Sequence, residues 1–222
     1  TLDGLHAGTR EFGSTVNAIV CAMGEQPLAD CIAVFKTAAY FADQGVVGLD
    51  FAGDEANHPA IDLAPAVKAG LATGLPFTLH AGEAGPVDNV AVSLTLGARR
   101  IGHGVHMSGF PATINQAKRA GATIEMCPTS NVQTKAVADY AAFPLAEFLS
   151  AGLKVTLNTD DRTVSDVTLT SEIMRMHDEF GLNWSLLEQL TLNAIDGAFL
   201  NDPAKEKLRD RVRAAASTVS QA

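Results

Sequence analysis

The feature that most constrains this sequence is a repeated unit in which a helix-like stretch ends in a glycine and a short apolar run follows. The glycines in question are Gly45, Gly74, Gly97, Gly121 and Gly152. Glycine is favoured just past a helix because it adopts a left-handed backbone without steric cost. Five such units in succession indicate a parallel sheet of the α/β class. The predicted strands are residues 16–23, 46–51, 77–80, 100–102, 123–127 and 154–158, and the helices between them are residues 27–44, 63–73, 88–96, 114–120 and 144–150.

Three further helix-like segments follow the last predicted strand, at residues 165–180, 184–200 and 203–217. No low-complexity linker divides the chain and no amino-acid sequence recurs within it, so we expect residues 1–222 to form a single domain. Six parallel strands fit either an open doubly wound sheet or six of the eight units of a (β/α)8 TIM-type barrel. No G-x-G-x-x-G fingerprint follows the first strand, and the polar residues gather at the strand ends, so the barrel is favoured.

Composition excludes several classes of partner. The chain has 222 residues, of which 47% are hydrophobic, so it can build one sizeable core. No apolar run approaches the roughly 18 residues of a membrane helix, so we expect no membrane partner. Twenty-five acidic against 16 basic residues give a net charge of -9, which disfavours nucleic acid. The three cysteines form no paired framework and no C-x-x-C arrangement, so we expect a cytoplasmic location.

Polar side chains cluster where the predicted strands end. His80 closes the third strand, and Glu83 follows it by three residues. His103 lies between two glycines after the fourth strand, and Asp160 and Asp161 follow the sixth. Because the carboxyl ends of barrel strands meet at one rim, where barrel active sites are built, we expect these side chains to converge. Imidazole and carboxylate groups gathered at such a rim are typical of a hydrolytic metal site.

Each of these residues also has a purely structural interpretation. His80 can present a neutral nitrogen to a metal and Glu83 can shuttle protons, or they can be a hydrogen-bonded core histidine and a solvated loop glutamate. His103 can be an ordinary turn residue. Asp160 and Asp161 point to opposite sides of an extended segment, so one can ligate a metal while the other faces a substrate. The same pair can instead cap the helix that follows.

The remaining histidines are interpreted as structural or solvated. His58 lies in a predicted loop, His106 follows the glycine-flanked turn, and the other two lie on predicted helices. The four residues are His6, His58, His106 and His177.

Five motifs together carry a family resemblance. They are L-D-F-A-G-D-E at 49–55, H-A-G-E at 80–83, R-I-G-H-G at 100–104, C-P-T-S-N at 127–131 and L-N-T-D-D at 157–161. In order and spacing they resemble the adenosine deaminase family over nearly the whole chain. The resemblance implies a zinc-dependent (β/α)8 barrel, of which this chain would supply about strands 3–8 and the C-terminal helices.

The resemblance also implies an activity and a set of roles. The reaction would be hydrolytic deamination of adenosine or a related 6-aminopurine nucleoside, by attack of zinc-activated hydroxide at C6. His80 and Asp160 would be ligands of one Zn²⁺ per chain in the complete protein, and Glu83 would donate a proton to N1. His103 would orient and assist the attacking hydroxide. Two residues would hold the base: Asp161 at N7, and the backbone of Gly53 near N3.

Two departures from the family pattern keep alternatives open. The H-x-H pair that supplies two more zinc ligands in the family does not occur here, so we expect an N-terminal segment to have been cleaved, to be disordered or to be absent from this sequence. Arg162 stands where many family members have proline, which bears on the substrate. The substrate could instead be adenine, aminodeoxyfutalosine or an N6-substituted AMP. The chain could also be a truncated, metal-free, inactive nucleoside-binding form, or a different barrel hydrolase that uses His80, His103 and Asp160 as another metal set.

Overall fold

Six parallel strands and the helices between them make up the structure, a computed structural model that describes residues 1–219 and the side chains as far as residue 216. The strands are β1 Ala18–Met23, β2 Val46–Ala52, β3 Thr78–Ala81, β4 Arg100–His103, β5 Thr123–Met126 and β6 Lys154–Leu157. The helices are α1 Leu2–Phe12, α2 Leu28–Ala39, α3 Ala64–Leu71, α4 Val87–Leu96, α5 Pro111–Ala120, α6 Pro128–Gln133, α7 Leu145–Ser150, α8 Arg162–Ser165, α9 Leu169–Phe180, α10 Trp184–Gly197 and α11 Asp202–Val219.

The strands lie side by side in chain order. β1 pairs with β2, and β3, β4, β5 and β6 pair in sequence, all in parallel. The two groups meet where Leu49 of β2 bridges to Phe77, and the Leu49 N–H donates to the carbonyl of Pro76 at 2.9 Å. A doubly wound sheet would reverse its strand order at a switch point, whereas this order runs on without reversal, as it does round a barrel. The fold is therefore an α/β partial barrel, as predicted.

Several predicted boundaries were wrong, and local capping explains them. The predicted helix 27–44 is two elements, because α2 ends at Ala39 and a separate 3-10 turn, Ala42–Gln44, leads into Gly45 at φ 107°. The predicted helix 165–180 begins only at Leu169, because Thr168 and Ser171 form a capping box there. The short helices α6 and α8 were not predicted, and six and four residues are too few to show a helical period.

The core lies between the sheet and the outer helices. Phe35 of α2 contacts Phe51 of β2 and Phe77 edge-on, with ring centroids 5.0 and 5.1 Å apart. All three rings are at most 2% exposed. Edge-to-face aromatic contacts of this kind tie helix and strands together, which holds the strand ends in place for the site. Among the described residues, no helix is long and apolar enough to cross a membrane.

Candidate active site at the strand ends

A cavity of about 640 Å³ opens at the carboxyl ends of the strands. This volume is in the range of small-molecule sites. Four of the predicted site residues line the cavity: His80, His103, Asp160 and Asp161.

His80 is fixed by a partner that the sequence analysis missed. Its Nδ1 lies 3.2 Å from Oδ1 and 3.1 Å from Oδ2 of Asp50, which is near the end of β2. Burial by itself lowers the pKa of His80, but the Asp50 carboxylate outweighs it and raises the pKa to about 9. Among the described residues Nε2 has no hydrogen-bond partner, so this nitrogen is free to bind a metal. Gly102 makes room for the ring, since a Cβ there would lie 3.3 Å from His80 Cγ.

His103 is buried, with 1% of the residue exposed, and is held in a left-handed backbone at φ 64°. The side-chain amide of Asn131 lies 3.0 Å from its Nδ1. With that amide as donor, Nδ1 accepts and the ring proton lies on Nε2. Nε2 faces Glu83 Oε2 at 3.4 Å and Asp160 Oδ2 at 4.0 Å. Burial, and after it the charge on His80, lower the pKa of His103, which favours the neutral ring.

Glu83 lies on the loop after β3 and points at His103. Its Oε1 accepts a hydrogen bond from Thr134 Oγ1 at 3.1 Å and a longer one from Asn131 Nδ2 at 3.5 Å. Burial raises the pKa of Glu83; the Thr134 hydroxyl opposes this, and the neighbouring Asp160 carboxylate adds to it. A carboxyl whose pKa is raised holds its proton at higher pH, which is what a general acid requires.

Asp160 follows β6 in a left-handed backbone at φ 58°. Non-glycine residues rarely adopt this conformation, and such positions concentrate at functional sites. Ser130 Oγ donates to Asp160 Oδ2 at 2.7 Å, whereas Oδ1 has no hydrogen-bond partner among the described residues. One ligand atom each from His103, Cys127 and Asp160 lie within 4.8 Å of one another, so these strand ends are close enough to share a cation.

The two predicted base-binding residues lie in different places: Asp161 is at the start of α8, and Gly53 is in a neighbouring pocket. Asp161 Oδ1 accepts from the N–H groups of Thr163 and Val164 at 2.9 and 3.0 Å, so this carboxylate caps α8. Its other oxygen is uncapped, and the residue still lines the large cavity. Gly53 has φ 104° and lines a neighbouring pocket that shares His80 with the large cavity. A Cβ at Gly53 would meet the flexible end of the Glu25 side chain, and the positive φ strains any residue other than glycine at this position.

Two buried or partly buried glutamates hold the site loops, and sequence reasoning missed both. Glu172 of α9 is 1% exposed and accepts from the N–H of Thr129 at 3.0 Å and from the Thr129 hydroxyl. This contact anchors the start of α6, which carries Ser130 and Asn131. Glu55 accepts hydrogen bonds from the loop that carries Glu83. The clue to Glu172 was an acidic residue on the apolar face of a helix.

Three of the histidines interpreted as structural do hydrogen-bond to backbone carbonyls. His6 Nε2 lies 3.0 Å from Gln44 O, and His177 Nδ1 lies 2.9 Å from Leu182 O. His106 Nδ1 lies 2.7 Å from Gly85 O, and its Nε2 lies 3.2 Å from Ala136 O. His106 therefore lies between the Glu83 loop and the segment after α6, and its neutral ring donates to one of these two carbonyls.

The fold and the site together define a class of protein. A parallel partial barrel places two imidazoles and two carboxylates at one rim, and within the described part of the chain one nitrogen of His80 and one oxygen of Asp160 have no hydrogen-bond partner. Imidazole and carboxylate groups gathered at such a rim are typical of barrel hydrolases that carry a metal site.

Comparison with known proteins identifies the family within that class. The family model described as adenosine deaminase matches residues 1–215. An adenosine deaminase of Lacticaseibacillus casei is 43% identical over 95% of this chain, which spans 62% of that relative's length. The chain belongs to the adenosine deaminase family.

Solved structures agree with the fold. A zinc-bound amidohydrolase from Burkhoderia ambifaria superposes with a TM-score of 0.91 at 25% identity, over 98% of this chain and 61% of that one. The N6-methyl-AMP deaminase of Arabidopsis thaliana superposes with a TM-score of 0.84 at 26% identity, over 92% and 60% of the two chains.

Proposed function

We propose that the complete protein hydrolyses the 6-amino group of adenosine, or of a related 6-aminopurine nucleoside, to the 6-oxo product and ammonia. The observation that carries this proposal is the contact between Glu83 and His103. A carboxyl with a raised pKa lies 3.4 Å from a buried neutral imidazole, beside the free ligand atoms of His80 and Asp160. The family of the chain supports the same chemistry.

The metal-binding half of the site fits a zinc ion. Nδ1 of His80 is occupied by Asp50, so the free nitrogen is Nε2, and a carboxylate behind a ligating histidine is the usual support of a zinc ligand. Asp160 offers Oδ1, because Ser130 occupies Oδ2. Zinc, when bound, supplies an activated water as nucleophile at neutral pH. These residues would supply two ligands, and the remaining ligands would come from residues that are not in this chain, which spans 62% of the length of a relative.

Glu83 is proposed to move the proton that the reaction needs. Addition of a nucleophile at C6 places negative charge on the ring, and a proton delivered to N1 neutralises it. Thr134 and Asn131 hold one oxygen of Glu83, which leaves Oε2 to carry the proton. General-acid catalysis by such a group is worth about 10²–10⁴-fold in rate.

His103 is proposed to orient and assist the nucleophile. Its proton lies on Nε2, on the side that faces Glu83 and Asp160, because Asn131 occupies Nδ1. A neutral ring with a fixed tautomer can direct that N–H at an oxygen placed between the two carboxylates. Burial favours this neutral form.

Asp161 and Gly53 are proposed to hold the purine base. One oxygen of Asp161 caps the helix, and the other is left for the base. An ionised carboxylate and N7 of a neutral purine are both acceptors, so a hydrogen bond between Asp161 and N7 needs a proton on one of them. Gly53 lets its backbone approach a flat ring closely.

A nucleotide substrate is the second candidate. Arginines 100 and 162 line the large cavity, and the first of them lies 2.9 Å from Glu125. The exposed Arg162 has only a 3.4 Å contact from Nε to Val167 O among the described residues, so it can meet a phosphate. One solved structure with this fold is an N6-methyl-AMP deaminase. Free adenine and aminodeoxyfutalosine remain further alternatives within the family.

The experiment is a substrate comparison with the complete, zinc-loaded protein. Loss of the adenine absorbance and release of ammonia are followed with adenosine, AMP and N6-methyl-AMP. We expect adenosine to have the highest kcat/KM. Preference for either nucleotide would support the second candidate. Absence of turnover on all three, together with absence of stoichiometric zinc, would overturn the proposal and favour the inactive, metal-free form.

A further inference from the structure

Glu55 makes an unusual set of contacts with the loop after β3. Its Oε1 accepts from the N–H of Gly82 at 2.6 Å, and its Oε2 accepts from the N–H groups of residues 83, 84 and 85 at 3.0, 3.0 and 2.9 Å. Asn89 Nδ2 adds a fifth hydrogen bond, to Oε1, at 3.0 Å. Four successive backbone N–H groups around one anion form a nest, here filled by a carboxylate of the chain itself.

The loop is shaped around this carboxylate. Gly82 has φ 73°, a conformation that turns the backbone amides inward. A Cβ at Gly85 would lie 2.8 Å from Glu55 Cδ, so a side chain there would displace the carboxylate. His106 holds the other side of the loop. Its backbone N–H donates to Gly82 O at 2.9 Å, and its ring Nδ1 lies 2.7 Å from Gly85 O. The loop is therefore clamped between Glu55 and His106.

The clamped loop carries Glu83. The backbone N–H of Glu83 donates to Glu55. The side-chain carboxyl of Glu83 points away from Glu55, and its Oε2 lies 3.4 Å from His103 Nε2. We propose that Glu55 is a positioning residue that fixes the proton-donating carboxyl of Glu83 at reacting distance. This inference rests on the proposed function. Misplacement of a reacting group by about 1 Å can lower the rate about 10²-fold, so loss of the contacts between Glu55 and the loop should lower the rate strongly.

Only a carboxylate of this length fits the nest. Glutamine has the same shape, but it presents one acceptor oxygen and one NH₂ group, and the NH₂ would face backbone N–H donors. Aspartate is one methylene shorter and cannot reach all four amides. Glu55→Gln is therefore the informative variant, because it preserves volume and removes the anion.

The test is a double-mutant cycle in the complete, zinc-loaded protein, with Glu55→Gln and Glu83→Gln alone and together. We expect Glu55→Gln to lower kcat by about 10- to 100-fold with KM changed less than about threefold. In the Glu83→Gln background the same change should alter kcat by less than about twofold, because the group it positions is already gone. An equal loss in both backgrounds, or no loss in either, would overturn the proposal.

A matched control and a second measurement separate this proposal from the proposed function. Glu147 also accepts a backbone N–H from a distant loop, that of Gly109 at 2.9 Å, so Glu147→Gln should leave kcat within about twofold. Amide hydrogen exchange at residues 82–85 should speed up about tenfold in Glu55→Gln and not in Glu147→Gln. Faster exchange with no deaminase activity in the wild type would refute the proposed function alone, whereas unchanged exchange would refute the clamp.

Discussion

Nδ1 of His80 lies 3.1 Å from Oδ2 of Asp50, and this contact decides which ring nitrogen of His80 is free. A carboxylate behind an imidazole fixes its tautomer and orientation and raises its basicity as a ligand. β2 supplies the carboxylate and β3 supplies the ring, so the bridge from Leu49 of β2 to Phe77, the residue before β3, sets their alignment. The pairing of His80 with Asp50 is thus fixed by two neighbouring strands, whereas Asp160 lies in the segment after β6.

Removing this carboxylate should weaken zinc binding. Asp50→Asn keeps the shape but removes the charge that outweighs burial and raises the pKa of His80. We expect zinc affinity of the complete protein to fall about 10- to 100-fold, as measured by competition with a chelating dye. Asp54→Asn is the control, because the Asp54 carboxylate is exposed and accepts hydrogen bonds from Asn57, close by in the chain. Equal affinities in Asp50→Asn and wild type would refute this role for Asp50.

The buried carboxylate of Glu172 should contribute to stability as well as to the site. In the wild type the N–H and the hydroxyl of Thr129 donate to the two oxygens of Glu172. In Glu172→Gln an NH₂ group replaces one of these oxygens, so two donors face each other. An unsatisfied buried group costs about 1–3 kcal/mol, so we expect a loss of that size in the free energy of unfolding by urea. Glu179→Gln, on the exposed face of the same helix, should change the free energy of unfolding by less than about 0.5 kcal/mol. A loss no greater than that of the control would contradict this assignment.

Stability in acid should depend on Glu55. Burial by itself raises the pKa of this carboxyl, but the hydrogen bonds from the loop, that of Gly82 foremost, outweigh burial and lower it below 4.5. A lowered folded-state pKa gives stability that is present above about pH 4.5 and is lost as pH falls through the folded-state value. Urea unfolding at several pH values should therefore show a shallower acid loss in Glu55→Gln than in wild type. If the free energy of unfolding fell equally with pH in wild type and Glu55→Gln, the result would contradict a stabilising charge on Glu55.

The sequence predicted the convergence of the site but not its supports. His80, His103 and Asp160 could be placed together because each follows an apolar run, and the ends of parallel strands meet at one rim. The contact of Asp50 with His80 depends on how two strands align, which periodicity does not specify. The nest around Glu55 depends on the backbone angles of Gly82 and its neighbours, which appear only when the loop is folded.

The capping role of Asp161 shows a different kind of limit. Capping and substrate binding were both open from the sequence, because an aspartate before a helix suits either. The structure shows the cap, made by one oxygen of the carboxylate. The second oxygen leaves the substrate contact as a prediction.

The most direct test of the central claim compares wild type with Glu83→Gln at equal zinc content. Glutamine keeps the hydrogen bonds from Thr134 and Asn131 possible but carries no transferable proton at Oε2. We predict that the complete protein releases one ammonia per adenosine consumed and that Glu83→Gln, with zinc unchanged, loses at least about 10²-fold in kcat. A variant that retains zinc and turns over near the wild-type rate would contradict the assignment of Glu83 as the proton donor.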